Sequence, residues 1–212
     1  MGKLVGFIYL FEAYPLRSLL TLFLCAAWSW SVQAITITQK GDSAYLKGAV
    51  TPGAYVTLRE FLTEPRQHKL RVLYLESPGG KVEDATYMAR DIRKAGLITA
   101  VDGSKPCRSA CTMLFAAGVQ RHYFNHTKIK DELIDKYAGH PGLGYHQAHG
   151  TGISGKDRSY SGRGTQNLIN VYYEHGSPKA AEFATKAGQN QMYFVSGPTA
   201  LANGLATSLS PP

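Results

Sequence analysis

Residues 71–80, RVLYLESPGG, are the stretch on which the fold turns. The run from Val72 to Glu76 is β-branched, aromatic and apolar on both faces, as in a strand of a parallel sheet covered on both sides. It meets Ser77-Pro78-Gly79-Gly80 and then KVEDATYMARDIRKAG. In that second run Val82, Ala85, Met88, Ala89 and Ile92 fall on one helical face. Glu83 and Asp84 suit the N-terminal dipole, and Gly96 ends the helix. LITAV, residues 97–101, then supplies a second strand.

Working outward, AITITQ and AYLKGAV predict short strands on the N-terminal side, and TLREFLTEP a helix stopping before Pro65. On the C-terminal side a Gly-Ser-Lys-Pro loop leads into CRSAC and an apolar helix ending at Gly118. LGYHQAH is strand-like, and residues 151–164 read as a mobile, glycine-rich basic loop. TQNLINVYYEHG and SPKAAEFATKAG predict helices, QMYFVS a strand, and PTALANG a short helix with Pro198 in its first turn. Strand–turn–helix units in this alternation predict an α/β fold with a mainly parallel sheet flanked by helices.

The chain has 212 residues, enough for one compact domain, with 44% hydrophobic and 18% charged residues. Residues 1–34 read as an address: Lys3 and Arg17, then SLLTLFLCAAWSWSVQA, with a small-residue cleavage site at Ala34. The run from Ser18 is short for a membrane span, which takes about 20 apolar residues. LVGFIYLF upstream keeps an uncleaved N-terminal anchor as the alternative. The expected domains are therefore 1–34, signal peptide or anchor, and 35–212, the α/β body. Export to the periplasm or outside the cell follows, with membrane association only through that N-terminal segment.

The net charge of +8 is spread over single basic residues rather than runs. A solvated basic surface explains it better than a polyanion site, and the thirteen tyrosines are not interleaved with arginine as base stacking needs. No nucleic-acid partner is expected. Gly150 to Asp157 imitates a phosphate loop but lacks its hydroxyl residue and its preceding strand. The pairs His122/His126 and His146/His149 lack a zinc-site pattern, so no metal is expected.

Two strand-to-helix corners carry the chemistry: Gly79-Gly80, and Ser109 in CRSACTMLFAAG, residues 107–118. Glycines leave backbone N–H groups free to face a reacting oxygen. Ser109 at a helix start reads either as an N-cap or as a nucleophile. With Cys25 removed in the signal, Cys107 and Cys111 form an even pair, and an oxidising compartment favours a disulfide between them. In a reducing one Cys111 would rival Ser109 as the nucleophile.

Residues 73–118 resemble the Clp protease proteolytic subunit and its relatives in the Clp/crotonase superfamily. LYLESPGGKVEDA, GLITAVDG and SACTMLFAAG follow the family's order, and the interval from Gly80 to Ser109 matches its spacing. The resemblance implies repeated ββα units, with Ser109 as nucleophile, His146 of LGYHQ as base, and the N–H groups of Gly80 and Ala110 as oxyanion hole. It implies a serine peptidase acting on a peptide or protein substrate, with no cofactor, assembled as a homo-oligomer. The closing YFVSGPTALANGLAT resembles the family's final helix.

Two features depart from the family. IKDELIDKYAGHPG, residues 129–142, reads as an insertion between Ser109 and His146. The family's His-orienting Asp falls near Met192, where Asn190 and Gln191 are the nearest polar residues; a water or a backbone carbonyl is the alternative. Three further readings stand beside the hydrolase: a catalytically inactive binding or scaffold protein of the same fold, acyl-CoA chemistry of the crotonase kind, and a Ser–Lys mechanism using Lys156.

Overall fold

The computed structural model describes residues 33–151 and 158–212. Of the address segment expected over 1–34, only Gln33 and Ala34 fall among them; Lys156 lies outside the described residues.

The chain begins with β1 (Thr36–Lys40) and β2 (Ser43–Lys47), a hairpin turning at Gly41 with φ 63°. There follow α1 (Ala54–Thr63), β3 (Val72–Glu76), α2 (Val82–Lys94), β4 (Ile98–Asp102), β5 (Pro106–Arg108), α3 (Ala110–Ala116) and β6 (Arg121–Phe124). The main sheet has the order β1-β2-β3-β4-β6, parallel from β2 onward, with β1 as an antiparallel edge. The expected strand–corner–helix unit stands as β3–α2–β4.

The second half supplies β7 (Glu132–Ile134), β8 (Gly142–Tyr145), β9 (His149–Thr151), β10 (Arg158–Tyr160), α4 (Gly162–Glu174), α5 (Lys179–Lys186), β11 (Met192–Val195) and α6 (Gly197–Ala202). A second sheet runs β5-β8-β11-β7, in which β8 is parallel to β5 and β11 antiparallel to both its neighbours. This sheet corrects one expectation and adds one element. CRSAC does not come straight from a loop, because residues 106–108 are a strand paired with β8. The insertion at 129–142, for which the sequence predicts no element, supplies β7 as the outer strand against β11.

The run 151–164 also differs from the loop expected there. Arg158–Tyr160 pairs with His149–Thr151 as a hairpin, and α4 starts at Gly162. The Ser161 hydroxyl accepts from Gly164 N at 3.1 Å, so an N-cap signal is set inside the glycine-rich run.

Ala85, Met88, Ala89 and Ile92 are fully buried, as the spacing of α2 requires. α3 is buried on every side, packed against α2, α4 and the strands β3, β4, β5 and β8. An all-round apolar helix belongs at the centre of a core. Polar groups tie the ends of the elements together. Arg121 is buried and donates to the carbonyls of Leu205 (2.9 Å) and Gly204 (3.0 Å), which secures the turn after α6. Asp131, from the insertion, accepts from Ser196 N (2.8 Å) and Thr199 Oγ1 (2.7 Å) and so caps α6. Burial pushes its carboxyl up, but the hydrogen bonds from Thr199 and Ser196 outweigh burial and hold it below the ordinary carboxylate range.

α1 has Gly53 at its N-cap and no capping side chain of its own. Asp84 of α2 does this work from outside, accepting from Gly53 N at 2.7 Å while almost fully buried. Asp84→Ala should therefore lose about 1–3 kcal/mol in urea unfolding, because it strands a helix-end N–H. Loss of under half a kilocalorie would show that water replaces the carboxylate.

His175 follows α4, and its Nδ1 accepts from Arg93 Nε at 3.4 Å. Burial, with Arg93 adding to it, pushes the imidazole below its ordinary value. The unfolded chain then binds a proton that the folded chain resists. Stability is full above about pH 6.5 and falls as pH drops toward the lower folded value. His175→Gln should flatten the fall in the urea midpoint between pH 7 and 5.

Candidate active site

Ser77 joins the two corners. Its backbone pairs with β5 in parallel: Ser77 N donates to Pro106 O at 2.8 Å, and Arg108 N donates to Ser77 O at 3.1 Å. Its buried hydroxyl accepts from Gly79 N at 3.1 Å, which holds the first glycine in place.

The two glycines are required for different reasons. Gly79 has φ 96°, and a Cβ there would stand 2.5 Å from Arg108 O and 2.8 Å from the Ser109 Cβ. Gly80 has φ 142°, and a Cβ there would collide with Val50 O. Gly80 forms a parallel bridge to Val50, in which Val50 N donates to Gly79 O (2.9 Å) and Lys81 N to Val50 O (2.7 Å). In such a bridge the Gly80 N–H points away from Val50.

Ser109 connects β5 to α3 with φ 52° and ψ −123°, a conformation sparsely populated for any residue with a side chain. It occupies the N-cap position, yet its side chain makes no capping hydrogen bond. The backbone is held instead. Ser109 N donates to Gly144 O at 2.8 Å, and Ser109 O accepts from Thr112 N at 2.9 Å and Thr112 Oγ1 at 2.6 Å. Thr112 Oγ1 also lies 2.6 Å from the Tyr172 hydroxyl, in a fully buried pair. Ala110, first residue of α3, is buried, and the first N–H groups of a helix have no acceptor within it. Cys107 and Cys111 are joined by a disulfide across this turn.

His146 lies one residue past β8, the strand whose Gly144 carbonyl holds Ser109. Arg108 pairs with Gly144 in that parallel register, so Ser109 and His146 leave the carboxyl ends of neighbouring strands. Gly80, Ser109 and His146 thus collect at one edge, where ligands of α/β sheets bind. The His146 ring is largely buried. It stacks on His149 with ring centroids 5.0 Å apart and lies 6.0 Å from Tyr137; His149 stacks in turn on Tyr160 at 5.0 Å.

The two amides considered for orienting His146 stand differently. Gln191 donates to Asp135 Oδ1 (2.9 Å) and accepts from Gly188 N (3.0 Å), so its polar atoms are committed to that turn. Asn190 is exposed. Extending the antiparallel register of β8 and β11 sets Met192 opposite His146.

The sequence reading missed three residues here. His149 reads from the sequence only as half of a metal pair, and nothing local marks it as a ring stacked on His146. Arg108 is buried, donates to the Tyr137 carbonyl, and lies with its guanidinium 6.0 Å from the Tyr137 ring. Tyr137 sits in the insertion. A cavity of about 390 Å³ opens beside Gly80 and Lys81 and is lined across from them by His149, Ser161 and Arg163.

The close approach of Gly79 to Ser109 can be measured. Gly41→Ala, at positive φ in open space, should cost only the left-handed penalty of about 1–2 kcal/mol. Gly79→Ala should cost clearly more in the same urea titration, because backbone atoms block its Cβ. Equal losses would mean that the corner yields.

No family model matches the chain, and neither does any curated protein. Solved structures do. A serine-to-alanine variant of the 1510-N membrane-bound stomatin-specific protease matches with TM-score 0.55 and 15% identity, over 82% of this chain and 81% of its own. A lysine-to-alanine variant of that protease, in complex with a substrate peptide, matches with TM-score 0.55 and 16% identity, over 82% and 77%. DspI of Pseudomonas aeruginosa matches with TM-score 0.49 and 12% identity, over 87% and 71%. The expected α/β fold, a parallel main sheet with flanking helices, is the fold this chain shares with the 1510-N protease structures.

Proposed function

We propose that this chain is a serine peptidase. The observation that carries the reading is Ser109: a strained residue between strand and helix, its hydroxyl withheld from capping, beside a glycine corner and with His146 just past the end of the adjoining strand. A nucleophile held on a sharp strand-to-helix turn presents its oxygen at the edge of the sheet.

In this mechanism His146 takes the Ser109 hydroxyl proton as the oxygen attacks a peptide carbonyl. The N–H groups of Gly80 and Ala110 hold the oxyanion of the tetrahedral intermediate. His146 then returns the proton to the leaving amine, and water releases the acyl group by the same steps. One oxyanion donor is worth about 3–4 kcal/mol of transition-state stabilisation, so the glycine corner counts as heavily as the serine. The cavity beside Gly80 would receive the peptide.

Two further readings have specific support. The side chain opposite His146 is Met192, not a carboxylate, which favours a silent binding protein of the same fold. The 1510-N protease was solved as serine and lysine variants, which favours Lys156 as the base. The reading also includes export of residues 35–212 and assembly as a homo-oligomer. Among the described residues no helix is long and apolar enough to cross a membrane.

A fluorophosphonate probe tests these readings together. The native protein should label covalently, Ser109→Ala should not label, and His146→Ala should label at least 100-fold more slowly. Slow labelling in Lys156→Ala with normal labelling in His146→Ala would transfer the base to Lys156. A native protein that stays unlabelled, alongside intact folding, would favour the binding protein.

A further inference from the structure

We infer that the Cys107–Cys111 disulfide is the positioning element of the nucleophile: it holds Ser109 in its left-handed turn and, with it, the Ala110 N–H. The inference rests on the reading of Ser109 as nucleophile for its functional meaning, though not for its structural content.

The bond joins the middle of β5 to the second residue of α3 and encloses Arg108, Ser109 and Ala110, with the Cα atoms of its ends 5.2 Å apart. Ser109 is therefore the central residue of a five-residue ring. Both cysteines are fully buried in the main core, so neither end of the ring can shift without repacking it. A ring this short restricts the unfolded chain far less than a long-range disulfide does. Its effect is then chiefly local, on the three residues it spans.

Those three residues need such a constraint. Ser109 and Asn125 are the only non-glycine residues with positive φ among the described residues, and Ser109 alone carries the proposed chemistry. A residue persists in such a region only where its surroundings over-determine it. The outer bonds to Gly144 and Thr112 hold Ser109 N and Ser109 O, but both act on the backbone of one residue. The disulfide fixes where the strand stops and the helix starts on either side of it, which sets the direction of the Ala110 N–H.

Reduction by a dithiol would break the S–S bond. Two electrons and two protons pass to the cysteines, giving two thiols, while the reagent closes into its own disulfide. Because both sulfurs are buried, the folded protein should resist this until it opens, and the positioning effect is built in rather than readily switched.

The test uses the full chain and two readouts. Mass spectrometry of the native protein should show a gain of about 2 Da on reduction after unfolding, as two hydrogens add across the bond. Amide hydrogen exchange should be at least tenfold faster over residues 107–112 in Cys107→Ala/Cys111→Ala than in the native protein, with residues 82–94 unchanged. Fluorophosphonate labelling of that variant should slow at least tenfold, with little change in its half-saturating probe concentration. If the variant does not fold, the same exchange measured on protein reduced in denaturant and refolded with dithiothreitol present decides the matter. Absence of the bond in the native protein, or unchanged exchange over 107–112, overturns the inference. A native protein that exchanges as expected but never labels overturns only the peptidase reading.

Discussion

Everything at this site depends on the parallel bridge between Ser77 and Cys107. Two backbone hydrogen bonds, Ser77 N to Pro106 O and Arg108 N to Ser77 O, join the end of β3 to β5. β3 belongs to the main sheet and β5 to the second, so these bonds seam one sheet to the other. The Gly79-Gly80 corner stands on one side of the seam, with Ser109 and His146 on the other. Ser77 also reaches across its own turn, accepting from Gly79 N, so a single buried serine fixes both the seam and the glycine beside it.

The two corners solve opposite steric problems. At Gly79 and Gly80 the backbone comes so close to Arg108, Ser109 and Val50 that no side chain fits, and glycine meets the need at the cost of conformational entropy. At position 109 the proposed chemistry requires a side chain, and a serine sits in a conformation that glycine would adopt more readily. Hydrogen bonds from both sides, together with the Thr112–Tyr172 pair beneath, supply the constraint that a glycine would not need. Burial raises the Tyr172 phenol well above its ordinary value, so this support stays a neutral hydrogen bond.

The insertion at 129–142 belongs to this construction. β7 extends the second sheet beyond β11, Asp131 caps α6, and the Tyr137 carbonyl accepts from Arg108, the residue just before Ser109. Tyr137 also begins the row of rings that passes through His146 and His149 to Tyr160. Aromatic rings pack beside His146, and the register of β8 and β11 sets Met192 opposite it. Packing of this kind can fix the orientation of a ring without fixing its charge.

Elements long enough to carry their own period were legible in advance. β3, α2, β4, α4 and α5 lie where alternation or helical spacing put them. Among the shorter strands β11 was legible from its apolar and aromatic run, but β5, β6 and β7 were not, since three or four residues show little period and depend on their partners. Gly80, Ser109 and His146 could be picked out by order and spacing along one strand–corner–helix pattern. His149, Arg108 and Tyr137 could not. Their places depend on a hairpin, a seam between sheets and an inserted strand, all of which bring together residues distant in the chain. The sequence alone determined the α/β alternation, the glycine corner and the serine at the head of an apolar helix, because local sterics and periodicity dictate these. Whether that serine caps its helix or turns its hydroxyl elsewhere was decided only by tertiary structure, because the φ of 52° at Ser109 is imposed by Gly144, Thr112 and the paired cysteines, not by serine itself.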